Sequence, residues 1–270
     1  MATLYTGDCI DVLKTLPDSS VDSVVTSPPY AMQRASTYGG IHEKDYPEWT
    51  VAWMQEVWRV LKDDGSVIIN ISPHIKNGEL SDYVLRTRLA LRDAGWVELP
   101  ELIWHKTSSM PTGAPDRPRR SWESLLWFGK HGRAFGNPKA NGHPLKDGWR
   151  PLDNNQAADN GWAHGWVGSF KRPDIARCTD IYSSRNNQVK TGHPAPFPVG
   201  LAEWCGRLIT PPGGTILDPF TGSSSTGVAA KRNGWDFIGI DMSAEYIEMS
   251  RKRLGLVGGE VTGHESTGEN

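Results

Sequence analysis

The chain has 270 residues, 37% hydrophobic and 22% charged, with a formal net charge of −2, which suits one sizeable core with a further region around it and excludes a disordered chain. No run reaches the apolar length of a membrane span, and the first residues, Met1-Ala2-Thr3-Leu4-Tyr5-Thr6-Gly7-Asp8, carry no secretory leader pattern. Cys9, Cys178 and Cys205 are too scattered for a disulfide framework or a CxxC metal pair, so a cytoplasmic protein is expected.

The first predicted strand is Val21–Thr26, and it leads into Ser27-Pro28-Pro29-Tyr30. Two successive prolines cannot continue a ladder, so the tetrad belongs to the loop at the strand's C-terminal end. Val51, Met54, Val57, Trp58 and Leu61 recur at helical spacing. That helix is expected to stop near Lys62-Asp63-Asp64-Gly65, with Gly65 as the positive-φ residue. Ser66–Ile71 follows as a strand and Leu80–Ala94 as a helix that stops at Gly95. This alternation predicts a parallel α/β sheet.

From Thr107 to Gly192, Gly, Pro, Asn and basic residues dominate, and only the stretch from Trp122 through Leu125-Leu126-Trp127-Phe128 reads as a strand. A long irregular stretch inside a compact protein is a candidate functional region. Charge is uneven as well: Trp104–Lys190 holds 14 Lys plus Arg against 7 Asp plus Glu, while the rest holds 15 against 24. Half of the 12 tryptophans also fall there. A basic, aromatic-rich segment in an acidic body suits a phosphate-contacting surface, although a solvated loop region would read the same way. Regular elements then resume: helix Val199–Ile209, strand Thr215–Leu217, helix Ser223–Asn233, strand Asp236–Ile240 and helix Ala244–Leu254. Residues 255–270 are Gly-rich and polar and are expected to be a disordered tail.

Two loops carry the chemistry. Ile216-Leu217-Asp218-Pro219-Phe220-Thr221-Gly222-Ser223-Ser224-Ser225-Thr226-Gly227 runs from a strand through small residues into a helix, where backbone can approach a ligand closely. It is neither a P-loop nor a GxGxxG fingerprint. Asp218 at the strand end is placed to meet a cationic amino acid moiety, and Asp241, after the next strand, stands where Rossmann-like folds put an acid on ribose hydroxyls. A nucleoside with a cationic tail and no phosphate describes S-adenosylmethionine. If the strands before the two loops are neighbours, donor and tetrad share one crevice. The tetrad then has a use. An exocyclic base amine is a poor nucleophile, and the Ser27 hydroxyl and Pro28 carbonyl can accept its two protons and aim the nitrogen at a methyl sulfonium. Tyr30 offers a stacking face for a base flipped out of the duplex. Cytosine C5 chemistry is disfavoured, because no cysteine follows a proline in a comparable loop.

In these motifs the chain resembles the β-group DNA amino-methyltransferases, in which the catalytic motif precedes the recognition region and the main cofactor motif comes last. The resemblance runs from Thr6 to Leu254. Gly7-Asp8-Cys9 resembles the N-terminal cofactor motif, which implies Asp8 and Cys9 near the adenine of the donor. Arg59-Val60-Leu61-Lys62-Asp63-Asp64-Gly65 and Ile103-Trp104-His105-Lys106 match framework segments. Gly192-His193-Pro194-Ala195-Pro196-Phe197-Pro198 resembles the motif that closes over the methionine part, which implies His193 and Phe197 in the cofactor site. Asp218, Phe220, Thr221, Gly222 and Ser223 would form the main cofactor loop, and Asp241 would hold the ribose. The implied fold is a Rossmann-like S-adenosylmethionine-dependent methyltransferase sheet, α/β in class, with an inserted target-recognition region. The implied organisation is a catalytic half over 1–106, the target-recognition insert over 107–190, the cofactor-binding half over 191–254 and the tail.

One position departs from the family: Ser224 stands where the usual Gly-Ser-Gly-Thr has its second glycine. The serine that heads the tetrad is typical of N4-cytosine enzymes, whereas aspartate is typical of N6-adenine enzymes, so cytosine N4 is favoured and adenine N6 is the alternative. RNA, a protein amine or a catalytically dead DNA-binding relic are lesser readings. The implied partner is double-stranded DNA, with Arg117, Arg119 and Arg120 as candidate phosphate or guanine contacts. A cognate restriction endonuclease is a candidate partner, monomer and homodimer both stay open, and a bacterial or phage origin is implied.

Overall fold

The computed structural model describes residues 1–32, 40–76, 78–108, 116–145, 174–185 and 198–256. In chain order the elements are β1 (Ala2–Thr6), α1 (Cys9–Thr15), β2 (Val21–Thr26), α2 (Tyr46–Val60), β3 (Leu61–Ile71), β4 (Ile75–Lys76), β5 (Glu79–Leu80) and α3 (Tyr83–Asp93). Then come β6 (Val97–Glu98), β7 (Leu102–Lys106), β8 (Trp122–Gly129), β9 (His143–Pro144), β10 (Ile175–Ala176) and β11 (Ile181–Ser184). The last are α4 (Val199–Ile209), β12 (Thr215–Asp218), α5 (Ser225–Asn233), β13 (Asp236–Asp241) and α6 (Ala244–Leu254).

Two compact units result, one made of Met1–Gly136 with Asp180–Asn270 and the other of Asn137–Thr179. The first is built on a nine-stranded sheet of order β1-β13-β12-β2-β3-β8-β7-β11, with β6 also paired to β8. Neighbours from β1 to β3 are parallel, as are β7 and β11, whereas β8 runs antiparallel to β3, β6 and β7. The sheet is therefore mixed, not parallel as expected. The reason is local: no helix lies between β6, β7 and β8 among the described residues, so no crossover keeps β8 aligned with its neighbours.

Helix α2 forms because Trp53, Met54, Val57 and Val60 all fall on one buried stripe, with Pro47 in the first turn. It ends at Val60, and Leu61 turns straight into β3 at φ −74°, ψ 138°. The expected stop at Gly65 is thus wrong, because Leu61 continues the helical apolar series while its backbone already belongs to the strand. Gly65 sits within β3 for a packing reason: a Cβ there would stand 2.6 Å from the Leu61 side chain and 3.0 Å from the Asp22 carbonyl. Helix α3 starts at Tyr83 rather than Leu80, since Glu79–Leu80 pairs with Ile75–Lys76, and Gly95, at φ +101°, follows its end as expected. Strand β2 and helices α4 and α6 lie at their predicted bounds, and β8 starts at Trp122 as expected and runs one residue past Phe128. Gly255 closes α6, while 257–270, most of the expected tail, lies outside the described residues.

The main core joins Trp53, Met54, Val57, Val24, Ile69, Leu126, Phe128, Leu217 and Ile240, all essentially without solvent contact. Each such side chain contributes about 1.5–3 kcal/mol of transfer free energy. The second unit is described through the antiparallel pair β9–β10 and the hydrogen bond from the Cys178 N–H to the Pro138 carbonyl. None of the described helices is long and apolar enough to cross a membrane.

Gly206, in the middle of α4, is buried against Trp235; a Cβ there would stand 2.5 Å from the indole. Helix propensity alone favours alanine by about 1 kcal/mol. Overpacking against a buried ring costs about 1–3 kcal/mol and should win. Gly206→Ala is expected to lower the urea-unfolding free energy by about 1 kcal/mol; an increase would show that the Trp235 contact gives way freely.

Candidate active site

Because β1, β13, β12 and β2 are parallel neighbours, the loops after them open on the same edge of the sheet. The pairing of Leu217 with Val24 makes the strands that precede the two informative loops adjacent, as the shared crevice requires. At this edge lies a cleft of about 200 Å³ lined by Gly7, Asp8, Cys9, Pro29, Ile41, Trp49, Pro219, Phe220, Asp241 and Met242. Of the residues singled out in the sequence, Asp8, Cys9, Pro29, Phe220 and Asp241 converge there. Ile41, Trp49 and Met242 were missed; Trp49 belongs to α2, and nothing in its periodicity separates a cleft-facing ring from a core one.

Each polar residue is held by its own element. Asp8 caps α1, its carboxylate accepting from the Ile10 N–H at 2.9 Å and the Asp11 N–H at 3.4 Å. Asp241, buried at the end of β13, accepts from the N–H groups of Gly222 and Ser243, both at 2.9 Å, while its carbonyl accepts from the Gly7 N–H at 3.0 Å. The Phe220 ring lies against Trp49 and Trp53 with centroids 5.5 and 5.3 Å away. Burial, with the charge of Asp8 next, pushes the Cys9 thiol up to about 12, so it stays neutral. The lining is two carboxylates on an aromatic and aliphatic surface, with no basic side chain among the described lining residues. It fits a nucleoside with a cationic tail better than a phosphate.

Asp218 is placed differently from the expectation: it does not line the cleft. Its carboxylate is buried and accepts from Thr26 Oγ1 at 2.7 Å, Thr226 Oγ1 at 2.8 Å and the Phe220 N–H at 3.2 Å. It anchors the loop from inside. Thr221, Gly222 and Ser223 are also buried in the loop, braced by Ser250 Oγ on the Gly222 carbonyl at 2.8 Å and by Arg253 on the Ser223 carbonyl at 2.7 Å. Ser224 adopts φ +59°, ψ +48°, the left-handed conformation that a glycine would take at this point. Ser224 thus holds a backbone conformation that favours glycine, at a cost of about 1–2 kcal/mol. Helix α5 starts at Ser225, two residues later than expected, for the same reason.

The tetrad stands beside the cleft, with Pro28 buried and Ser27, Pro29 and Tyr30 partly so. The Tyr30 hydroxyl donates to Glu123 Oε2 at 2.9 Å and accepts from Asn70 Nδ2 at 2.9 Å. Asn70 Nδ2 also lies 2.9 Å from Glu123 Oε2 and 3.4 Å from Ser27 Oγ. Glu123 forms an ion pair with Lys106. Burial first, then the Glu123 charge, hold the Tyr30 phenol well above its ordinary range, so it stays protonated. Sequence reasoning missed Asn70, Glu123 and Lys106 as site residues, since they lie on β3, β8 and β7 and only the sheet brings them together. Arg117 donates to the Gly78 carbonyl at 3.1 Å, and Arg120 to Ser72 Oγ at 2.9 Å and to the Pro73 carbonyl. His193 and Phe197 lie outside the described residues.

Burial raises the Asp218 carboxyl from an ordinary 3.8 to about 6, against the three hydrogen bonds that favour its ionised form. A carboxyl raised on folding stabilises the fold below its unfolded pKa, and that contribution is lost as pH rises through the folded one. Across pH 4 to 6 the wild type should lose about 3 kcal/mol of unfolding free energy relative to Asp218→Asn. Urea titrations at several pH values check this, and parallel pH profiles for the two proteins would contradict it.

Comparison with known proteins agrees with this geometry. Residues 21–252 match the N6/N4 DNA methylase family. The chain is 30% identical over 290 aligned positions to the type II methyltransferase M.XycI of Xanthomonas campestris pv. cyanopsidis, covering 94% of this chain and 87% of that one. Its fold superposes on the PvuII DNA methyltransferase, described as cytosine-N4-specific, with a TM-score of 0.71 at 24% identity, over 93% of this chain and 86% of that one. It also superposes on a Thermus thermophilus protein, a putative DNA modification methylase solved with S-adenosyl-L-methionine, with a TM-score of 0.63 at 24% identity, over 95% of both chains. A catalytic-type tetrad and a cofactor-type loop on adjacent parallel strands, together with a family match across most of the sequence, place this chain in the N6/N4 DNA methylase family.

Proposed function

We propose that this DNA methylase takes the methyl group of S-adenosylmethionine to the N4 amine of a cytosine flipped out of double-stranded DNA. The observation that carries the reading is the adjacency of β2 and β12, which sets Ser27-Pro28-Pro29-Tyr30 beside the cleft behind Phe220 and Asp241. The bound donor supplies an electrophilic methyl on a sulfonium. Asp241 serves the ribose, Asp8 and Cys9 flank the adenine, and Phe220 with Trp49 forms the apolar wall. Thr221, Gly222, Ser223 and the internal anchor Asp218 keep the loop in shape. His193 and Phe197 close over the methionine part, a role that rests on the motif resemblance alone.

At the base, the Ser27 hydroxyl and Pro28 carbonyl accept the amino protons, which localises the nitrogen lone pair toward the methyl carbon. Both acceptors are fixed before the reaction, so little reorganisation is needed at the barrier. Tyr30 stacks on the extruded ring, and its hydroxyl bond to Glu123 fixes the ring orientation. Cytosine N4 is supported over adenine N6 by the serine that heads the tetrad and by the likeness to the cytosine-N4-specific PvuII enzyme. The basic, Trp-rich region 107–190 carries target recognition, between the catalytic half 1–106 and the cofactor-binding half 191–254. The type II name of the bacterial relative supports a cognate restriction endonuclease as partner. The setting we assign is the cytoplasm of a bacterium, with the gene bacterial or phage-borne, and the protein acts as a monomer or homodimer.

Ser27→Ala should lower single-turnover methyl transfer by about 10²–10³-fold, and Tyr30→Ala should also cripple it, while donor affinity persists in both. Titration calorimetry with S-adenosylmethionine, run beside rapid-quench transfer assays, makes the comparison. Full activity in both variants would place the chemistry in another loop.

A further inference from the structure

One wall of the donor cleft comes from a stretch with no ladder of its own. Residues 40–45 lie between the tetrad loop and α2 and form neither helix nor strand. Ile41 nevertheless lines the cleft, as does Trp49 in the first turn of α2. The described backbone bonds of this stretch run to Met32, just after the tetrad, and to α2. The Met32 N–H donates to the Ile41 carbonyl at 2.9 Å, and the Asp45 and Tyr46 N–H groups donate to the His42 carbonyl at 3.0 Å. Glu43 fastens the stretch from the side. One of its carboxylate oxygens lies 3.1 Å from His74 Nε2, and the other accepts from the Ser81 hydroxyl. His74 follows β3 and Ser81 precedes α3, and the Ser81 N–H donates to the His74 carbonyl at 2.9 Å. The Glu43 and His74 side chains are largely withdrawn from solvent, where such a bond is stronger than in water. From His74 the contacts lead back to the cleft. Its ring stacks on Tyr83 with centroids 5.7 Å apart, Tyr83 meets Tyr46 edge-on at 4.9 Å, and Tyr46 meets Trp49 at 5.2 Å. The Tyr83 hydroxyl in turn donates to the Ser72 carbonyl at 2.6 Å. Trp49 is thus braced by packing, whereas Ile41 depends on the polar link at Glu43.

We propose that Glu43 is a positioning residue for the methyl donor: it clamps residues 40–45 to the segment after β3 and so holds Ile41 in the cleft wall. Glu43 does not itself line the cleft, so its effect on the donor passes through Ile41. Without the clamp, only a fraction of the molecules keeps Ile41 in the wall. The apparent donor affinity falls by that fraction, while the chemistry of the loaded enzyme at the tetrad is left as it was.

The inference rests on the reading of this cleft as the donor site, and calorimetric titration with S-adenosylmethionine tests the two separately. Glu43→Ala should bind the donor about 10-fold more weakly. Its single-turnover transfer to DNA at saturating donor should stay within about 2-fold of wild type. Ser81→Ala removes one of the two clamp bonds and should weaken binding about 3-fold. Ile41→Ala should weaken binding as well, and adding Glu43→Ala to it should change little, since the clamp acts through Ile41. Wild-type affinity in Glu43→Ala, or in Ser81→Ala should Glu43→Ala not fold, overturns the clamp alone. So does a double variant in which the two losses add, or a Glu43→Ala enzyme that is slow even when saturated with donor. A wild type that binds no donor overturns the clamp together with the reading of the cleft.

Discussion

The hydroxyl of Thr26, the last residue before the tetrad, donates to the carboxylate of Asp218, the last residue of β12 before the cofactor loop. This buried 2.7 Å bond joins the two loops that must meet for methyl transfer, and the remaining Asp218 contacts reach Thr226 on α5 and the Phe220 N–H. Removing any one of these donors would leave a buried carboxylate short of a partner, at a cost of about 1–3 kcal/mol. Asp218 sits in the stretch that resembles the family's main cofactor motif, yet its position makes it a fastener between the strands. Pro219 and Phe220 of this loop, with Asp241 and Met242 after β13, line the cleft instead.

Much of this is legible in the sequence because the relevant signals are local. The tandem prolines after Val21–Thr26 put the tetrad in a loop, and the small-residue run after Asp218 marks a strand-to-helix turn. Those signals do not say where a strand-end side chain points, which is why the sequence alone aims Asp218 at the donor. Nor do they say which distant strands are neighbours. Asn70, Glu123 and Lys106 meet only because β8 comes back antiparallel between β3 and β7. The apolar run Leu125-Leu126-Trp127-Phe128 announces a buried strand but not its direction.

Ser224 shows how a local rule can be broken and the fold kept. A non-glycine residue holds the left-handed conformation there because its surroundings over-determine it. Its N–H donates to the Thr221 carbonyl at 2.7 Å, and Thr221 Oγ1 lies 3.3 Å from its hydroxyl. Gly227 makes room for it: a Cβ at that position would stand 2.3 Å from Ser224 Oγ. These contacts hold Ser224 in the left-handed conformation that its position in the loop requires.

The central claim is that an exocyclic amine of a DNA base is the acceptor, and the modified nucleoside itself tests it most directly. Purified protein, labelled S-adenosylmethionine and unmethylated double-stranded DNA would be incubated together, and the DNA then digested to nucleosides for mass spectrometry. The account predicts labelled N4-methylcytosine. N6-methyladenine would keep the amine chemistry and overturn the choice of base, and unlabelled DNA despite measurable donor binding would contradict the account.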